Sequence, residues 1–426
     1  MTEVASNHDQ QQVSLDPYAL PIDQINVANP FLFEADQQGG WFKRLRDEAP
    51  VHYCPDSFFG PYWSVTRYED IMAVDTNHGE YSSEPSITLA DPAPDFTLPM
   101  FIAMDRPKHD QQRSVVNPVV GADKLRHFEP IIRRRTREVL DELPVGETFN
   151  WVDQVSIELT TRMLATLFDF PFEQRRKLTR WSDVATAVPG MGIVESEEQR
   201  REELFECLQS FTELWNVRVN ALPANDFISM LAHGEATRDM EPMEYLGNLV
   251  LLIVGGNDTT RNSMTGSVLA LHENPDQFDL LRANHELIPN MISETIRWQT
   301  PLIHMRRTAI TDTELGGQKI RAGEKVVMWY LSGNRDERFF ERPDQFIIER
   351  PDVRKHLAFG FGIHRCMGNR LAELQLKILW EEILARFERI EVVGPAKRVA
   401  SVFVRGYSEL PVIAHPRKHQ TQVLLP

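Results

Sequence analysis

Three glycines and a histidine crowd around one cysteine in Phe359-Gly360-Phe361-Gly362-Ile363-His364-Arg365-Cys366-Met367-Gly368. Glycine serves left-handed backbone or close approach, so this loop must fold tightly around something. Beyond it, Leu371, Leu374 and Ile378 mark one helical face. Leu376, Leu379, Ile383 and Phe387 mark a second, which predicts a helix over 371–387. Cys366 then stands at the mouth of a helix N-terminus, where the dipole and free N–H groups favour negative charge and lower a thiol's pKa. A thiolate in a glycine-rich loop suits a soft metal centre. A lone cysteine is ordinarily a small buried hydrophobe. The ordered set Phe-Gly-x-Gly-x-His-x-Cys-x-Gly separates this one from that background.

A second group lies in the longest apolar helical pattern, 245–273, where Leu246, Leu249, Val250 and Ile253 recur at helical spacing. Its middle reads Gly255-Gly256-Asn257-Asp258-Thr259-Thr260. Two mid-helix glycines cost roughly 1 kcal/mol each against alanine. A carboxylate and hydroxyls inside a buried helix need partners. Either the helix is pressed against a neighbour, or it opens over a cofactor to admit dioxygen and pass protons. Leu251, Gly255 and Thr259 are four apart and share a face. His109 and Arg113, also four apart, present two donors to one anion or form a solvated basic face. Glu294 and Arg297 are spaced to pair on an amphipathic helix.

The elements positioning these groups follow from periodicity and breakers. A helix is expected over 30–49, a hairpin from 51–53 and 62–65, and a short helix over 68–75. The stretch 82–99 carries four prolines and reads as a long loop. From 107 onward the pattern is helical for about 200 residues. The expected helices there are 109–116, 128–143, 152–167, 173–184, 196–220, 227–231, 243–273, 275–283 and 288–300. Strands are expected at 306–311, 325–331 and after 394. No 20–50-residue repeat is present. The expectation is a mainly α fold with a minor β portion: a disordered polar tail over 1–15, then one large helical domain over 16–426.

Composition sets the class. Of 426 residues 42% are hydrophobic and 25% charged, an ordinary globular balance. The net charge of -16 argues against nucleic acid or an anionic membrane as partner. Three cysteines, Cys54, Cys207 and Cys366, make no disulfide framework and fit a reducing cytoplasm. The longest apolar run, 249–254, is too short to span a bilayer, so no transmembrane anchor is expected.

The cysteine loop resembles the heme-binding loop of the cytochrome P-450 superfamily, with every signature position filled, and the match runs from about residue 30 to the end. The Gly255–Thr260 stretch resembles the family's distal-helix pattern. Leu252 to Met264 and Leu302 to Ala309 are similar to bacterial alkane terminal hydroxylases of the superfamily. The resemblance implies the P-450 fold, heme b as cofactor, and Cys366 as the axial iron ligand. It implies His109, Arg113, Arg307 and His364 as propionate partners, with Arg306 as the register alternative to Arg307. Thr259 would hydrogen-bond bound dioxygen and Asp258 would relay protons. Glu294 and Arg297 would form a buried structural group with Arg350, or else Arg342.

The implied activity is insertion of one oxygen atom of O2 into an unactivated C–H bond, most simply the terminal carbon of medium-chain alkanes or related aliphatics. Fatty acids, terpenes or steroids are the alternative substrates, and a non-catalytic gas sensor the remote one. The expected substrate face comprises Leu251, Val254, Gly255, Leu302, Ile303, Met305, Phe403 and Val404, with the 82–99 loop at the entrance. Electrons would come from a separate ferredoxin and its reductase, docking on basic residues beside the cysteine: Arg365, Lys377 and the run Arg133, Arg134, Arg135.

Overall fold

The computed structural model describes residues 11–417. The 32-residue helix Pro242–Glu273 runs through the interior and packs on Arg176–Thr186, Glu158–Phe168, Ile288–Gln299 and Asn369–Arg386. Pro242 starts it at the position where a missing N–H costs nothing. Its first half, including Leu246, Leu249 and Ile253, belongs to one apolar cluster with Leu164, Trp181 and Phe211. Its second half, including Val268 and Leu271, belongs to another with Met291, Ile296 and Trp380.

The helix Asn369–Arg386 after the cysteine splits its apolar residues the same way. Leu371 and Ile378 enter the first cluster, with Leu374 packed against it. Leu376, Leu379 and Ile383 enter the second, joined by Phe387, the first residue of the strand Phe387–Val392. Its two sequence faces are therefore two packing faces, and the helix is wedged between both cores.

Five strands form the main sheet, in the order Val51–Cys54, Tyr62–Val65, Lys325–Met328, Met305–Ala309, Tyr81–Ser82. The hairpin pairs Val51 with Val65 and Cys54 with Tyr62. Met305 pairs with Met328 and Thr308 with Lys325. This register sends neighbouring arginines to opposite faces, as the strand period of two requires. Among the described residues, no helix is long and apolar enough to cross a membrane.

Several expectations are corrected. The 30–49 helix is two, Pro30–Glu34 and Gln38–Glu48, broken where Asp36 takes a left-handed φ of 56°. The helix expected from 128 begins six residues earlier and carries Pro130 inside Ala122–Asp141. Wider, π-type turns open the 152–167 helix at Val152–Ile157. The chain after Met328 turns into a short helix, Tyr330–Gly333. Of the tail expected to be disordered over 1–15, residues 1–10 lie outside the described residues. Within 11–15, Gln12 is buried and donates from its amide to Asn26 O at 3.0 Å, and Val13 packs on a core, while Gln11, Ser14 and Leu15 are exposed.

Candidate functional site

A cavity lies between the middle of Pro242–Glu273 and the cysteine loop. Leu251, Gly255 and Thr259 line it on one side and Cys366 on the other. The two central glycines divide the readings between them. A Cβ on Gly255 would meet nothing within 4 Å, whereas one on Gly256 would lie 2.7 Å from Leu164. Gly255 thus leaves room over the cavity, and Gly256 lets the neighbouring helix approach. The helix runs unbroken rather than opening, and the Thr259 hydroxyl donates to Gly255 O at 3.0 Å.

The cysteine loop is bolted from behind by Asp75. Its carboxylate accepts from Phe361 N at 2.8 Å, Tyr330 Oη at 2.9 Å and Arg307 Nη2 at 2.9 Å. Gly362 has a φ of +67°, and a Cβ there would stand 2.6 Å from Asp75 O. A side chain would therefore push the loop off its support. Cys366 N donates to Phe359 O at 2.8 Å, closing the loop on itself. The Cys366 residue opens onto the cavity and so is accessible, while protein encloses the site more widely. Burial pushes the thiol up, against the pull of the Gly368 and Asn369 amides and of Arg113 and Arg365. The lowering expected from the helix mouth is present but loses to desolvation.

Arg113, Arg307 and His364 line the same cavity. Arg307 is the arginine that faces it, whereas Arg306 points away to Asp91 at 2.7 Å. The Arg113 guanidinium donates to Arg365 O. His109 does not line the cavity, yet its ring centroid lies 4.3 Å from that of His364. His109 Nε2 and His364 Nδ1 are both buried without a partner. Burial and the nearby Arg307 hold His364 far below its ordinary pKa. Ser83 Oγ fixes the other ring nitrogen, Nε2, at 2.8 Å.

Asp258 lies behind the cavity rather than on its wall. It is buried, and Asn257 Nδ2 and Arg261 Nη2 both donate to its Oδ1 at 2.9 Å. Arg261 also donates to Asp183 on Arg176–Thr186 at 2.8 Å, and the Asp183 side chain is 30% exposed. Oδ2 of Asp258 has no partner. Burial raises its carboxyl to about 6, with Arg261 pulling down and Asp183 pushing up.

Of the expected substrate face, Leu251, Gly255, Leu302 and Met305 line the cavity, and Val254, Ile303, Phe403 and Val404 do not. Val254 packs against the first apolar cluster. Ile303, in the irregular stretch before Met305–Ala309, is buried in another core with Trp329 and Val402. Phe403 lies against His304, with centroids 5.5 Å apart. Val404 is bridged by its backbone to Leu302, so it supports the wall from behind. The 82–99 loop also stops short of the cavity, whose nearest wall residues there are Phe101 and Ile102. The buried triad resolves to Arg350, whose Nε lies 3.0 Å from Glu294, while Arg342 pairs with Glu341. Ser83, Asp75 and Asp183 escaped sequence reading. Each is a lone polar residue whose partner is 78 to 286 positions away.

The chain's relatives fit this architecture. The family model for cytochrome P450 matches residues 191–397. The linalool 8-monooxygenase of Pseudomonas putida is 34% identical over 408 residues, 93% of this chain and 100% of that protein. The structure of CYP153D17 from Sphingomonas sp. PAMC 26605 is 50% identical, covering 92% of this chain and 100% of that one, with a TM-score of 0.87. Cytochrome P450-153 from Novosphingobium aromaticivorans is 48% identical over 92% of this chain and 99% of that one, with a TM-score of 0.86.

The donor set fits heme b, the cofactor of that family. A thiol opens on the cavity beneath two backbone amides, and two arginines stand with two histidine nitrogens that lack partners. A large macrocycle with two carboxylates supplies acceptors for those donors. The cavity's position between a glycine-opened helix and a cysteine loop, on a fold shared over nine-tenths of the chain, identifies the protein as a member of the cytochrome P450 family, a heme b monooxygenase.

Proposed function

We propose that this monooxygenase hydroxylates the chain terminus of medium-chain alkanes or related neutral aliphatics. Heme b, when bound, supplies the activation of O2 for oxygen insertion. Cys366 would hold its iron, and Arg113, Arg307, His364 and His109 its propionates. Thr259 would offer its hydroxyl to dioxygen, and Asp258 would move protons from solvent through Arg261 and Asp183.

The observation that carries the substrate reading is the charge of the cavity wall. Among the described residues its charged side chains are Arg113 and Arg307, which the propionates would engage, leaving none of those cations for a fatty-acid carboxylate. The remaining wall at Leu251, Leu302, Met305 and Ile102 is aliphatic and suits an unfunctionalised chain. A primary C–H bond is stronger than a secondary one, so terminal attack requires a wall that points the methyl group inward. A second reading, a neutral terpenoid, is favoured by the identity to linalool 8-monooxygenase over that protein's full length.

The test is product analysis of the holoenzyme with octane, dodecanoic acid and linalool under a surrogate ferredoxin system. Mainly 1-octanol is expected; hydroxylated acid or linalool as the dominant product overturns the alkane reading. Leu302→Ala should shift octane products toward subterminal alcohols, and unchanged regiochemistry removes Leu302 from the substrate wall.

Electrons would come from a separate ferredoxin and reductase in the cytoplasm. The support is a cluster of exposed arginines, Arg354, Arg365 and Arg370, around Glu373 on the cysteine side.

A further inference from the structure

The residue next to Asp258 on the long helix carries a buried amide that the cavity does not use. Asn257 is fully buried and faces the helix Glu158–Phe168 rather than the cavity. Its Nδ2 lies 2.9 Å from Asp258 Oδ1, and its Oδ1 lies 2.9 Å from Thr160 Oγ1. An ionised carboxylate only accepts, so the amide nitrogen must be the atom turned to Asp258. That leaves the amide oxygen to Thr160, whose hydroxyl donates to it. Donation therefore runs from Thr160 Oγ1 to Asn257 Oδ1, and from Asn257 Nδ2 to Asp258 Oδ1. Gly256 makes this chain possible. A Cβ there would stand 2.7 Å from Leu164, so the glycine admits Glu158–Phe168 at close range. Leu164 is four positions beyond Thr160 and shares its helix face, so the same approach carries the Thr160 hydroxyl to Asn257.

The consequence falls on Asp258. Asn257 Nδ2 and Arg261 Nη2 both hold its Oδ1, each at 2.9 Å, and Oδ2 has no partner. The Ser182 hydroxyl on Arg176–Thr186 pulls the carboxyl down without completing a hydrogen bond to it, and Ser182 Oγ is likewise buried and unpartnered. Two donors on one oxygen leave the other as the atom that takes a proton. The charged groups acting on the carboxyl are Arg261 on its own helix and Asp183 on Arg176–Thr186. Other charges on the helices packed there are spent. Glu158 holds Arg162 at 2.7 Å and Glu294 holds Arg297 at 2.7 Å. Arg176, Lys177 and Arg180 pair with Asp153, Glu206 and Glu203. Asn257 is thus a neutral donor that favours the ionised form.

We propose that Asn257, keyed by Thr160, is a positioning residue for proton delivery: it fixes Asp258 Oδ1 so that Oδ2 carries the proton. The proposal rests on the reading of Asp258 as the proton relay. Asn257 acts through Asp258 and touches no reacting atom.

The direct readout is the infrared carbonyl stretch of the protonated Asp258 carboxyl in the holoenzyme, assigned by its loss in Asp258→Asn and followed across pH. Asn257→Leu removes the amide, and Thr160 then falls back on Ser156 O at 3.0 Å, so its hydroxyl is not stranded. Thr160→Val keeps the side-chain shape, removes the hydroxyl and frees the amide to turn. Both should raise the midpoint of the band above about 6. For Asn257→Leu the rise should be about one pH unit, the worth of a hydrogen bond to a charged group. Thr160→Ser keeps the hydroxyl, loses only packing, and should leave the midpoint in place. Thr160→Val remains decisive if Asn257→Leu folds poorly. An unmoved midpoint in either Asn257→Leu or Thr160→Val, or the same shift in Thr160→Ser as in Thr160→Val, overturns the proposal. The pH limb of turnover should move with the band. A band that moves while that limb stays overturns the relay reading of Asp258 instead, and with it any share of Asn257 in turnover.

Discussion

Asp258 sits where three forces meet. Burial drives its carboxyl up to about 6, the Arg261 guanidinium opposes that, and Asp183 adds to it. Neutralising Asp183 removes a repulsion and leaves Arg261 to Asp258 alone, so the carboxyl must titrate lower. The folded value lies above the ordinary 3.8 of an aspartate, so the native state binds the extra proton as pH falls toward 6. Its stabilising share is present at low pH and is lost as pH rises through about 6. A relay group near this value should give turnover a limb near the same pH. Asp183→Asn should move that limb to lower pH. Asp258→Asn should abolish it and slow turnover by about 10²-fold, the usual share of a positioned proton-transfer group. A pH–rate profile on saturating substrate reads both, and a limb that stays put in Asp183→Asn removes Arg261 and Asp183 from the relay. The face shared by Leu251, Gly255 and Thr259 was legible from spacing alone, and the cavity wall follows it. Asp183 was not, because a lone acid on a neighbouring helix carries no periodic signal and meets its partner 78 positions away.

Helices were legible because each buries a continuous apolar stripe, as the two faces of Asn369–Arg386 make plain. Their ends were less so. A single left-handed residue, Asp36, divides one expected helix, and Pro130 sits inside another that begins at Ala122, ahead of the 128–143 periodicity. Wall residues were half legible. Leu302 and Met305 face the cavity, but Ile303 between them packs into another core with Trp329 and Val402, because the irregular backbone before Met305–Ala309 sets the direction of each side chain and hydrophobicity alone does not. At this scale the decisive joint is Glu294. It receives Arg297 Nε at 2.7 Å and Arg350 Nε at 3.0 Å, with both its own and the Arg297 side chain fully buried. Arg297 in turn ties Asn334 O at 2.7 Å and Pro343 O at 2.8 Å. Removing one partner strands buried charge, so Glu294→Gln should cost about 3–5 kcal/mol of stability. Denaturant unfolding of the holoenzyme checks this, and a loss below about 1 kcal/mol, the range of an exposed pair, would reduce the triad to a minor contact.

The whole molecule carries a net charge of -16, so an acidic electron donor is repelled at long range and must find a local exception. Charge counting along the sequence pointed to Arg133, Arg134, Arg135, Lys377 and Arg365. Packing removes most of that set. Arg133 is taken by Glu381 at 2.7 Å and Glu382 at 3.1 Å, Arg134 lies 3.7 Å from Glu138, and Lys377 lies 3.7 Å from Glu381. Arg135 donates to Arg162 O and Thr166. Arg365 is different. It is exposed, makes no salt bridge among the described residues, and rests on the Phe361 ring at 5.3 Å, one residue from Cys366. Arg354 and Arg370 are exposed and equally free of salt bridges among the described residues, and all three arginines act on Glu373. Steering by such a patch raises the association rate and weakens with salt, since exposed charges are screened over about 8 Å at physiological ionic strength. Arg365→Glu should therefore slow reduction by a surrogate ferredoxin at least tenfold at low salt and flatten its dependence on ionic strength. Lys377→Glu, at a cation already neutralised, should do far less. Stopped-flow reduction across a salt series separates the two, and equal effects from both variants would place the docking surface away from Arg365.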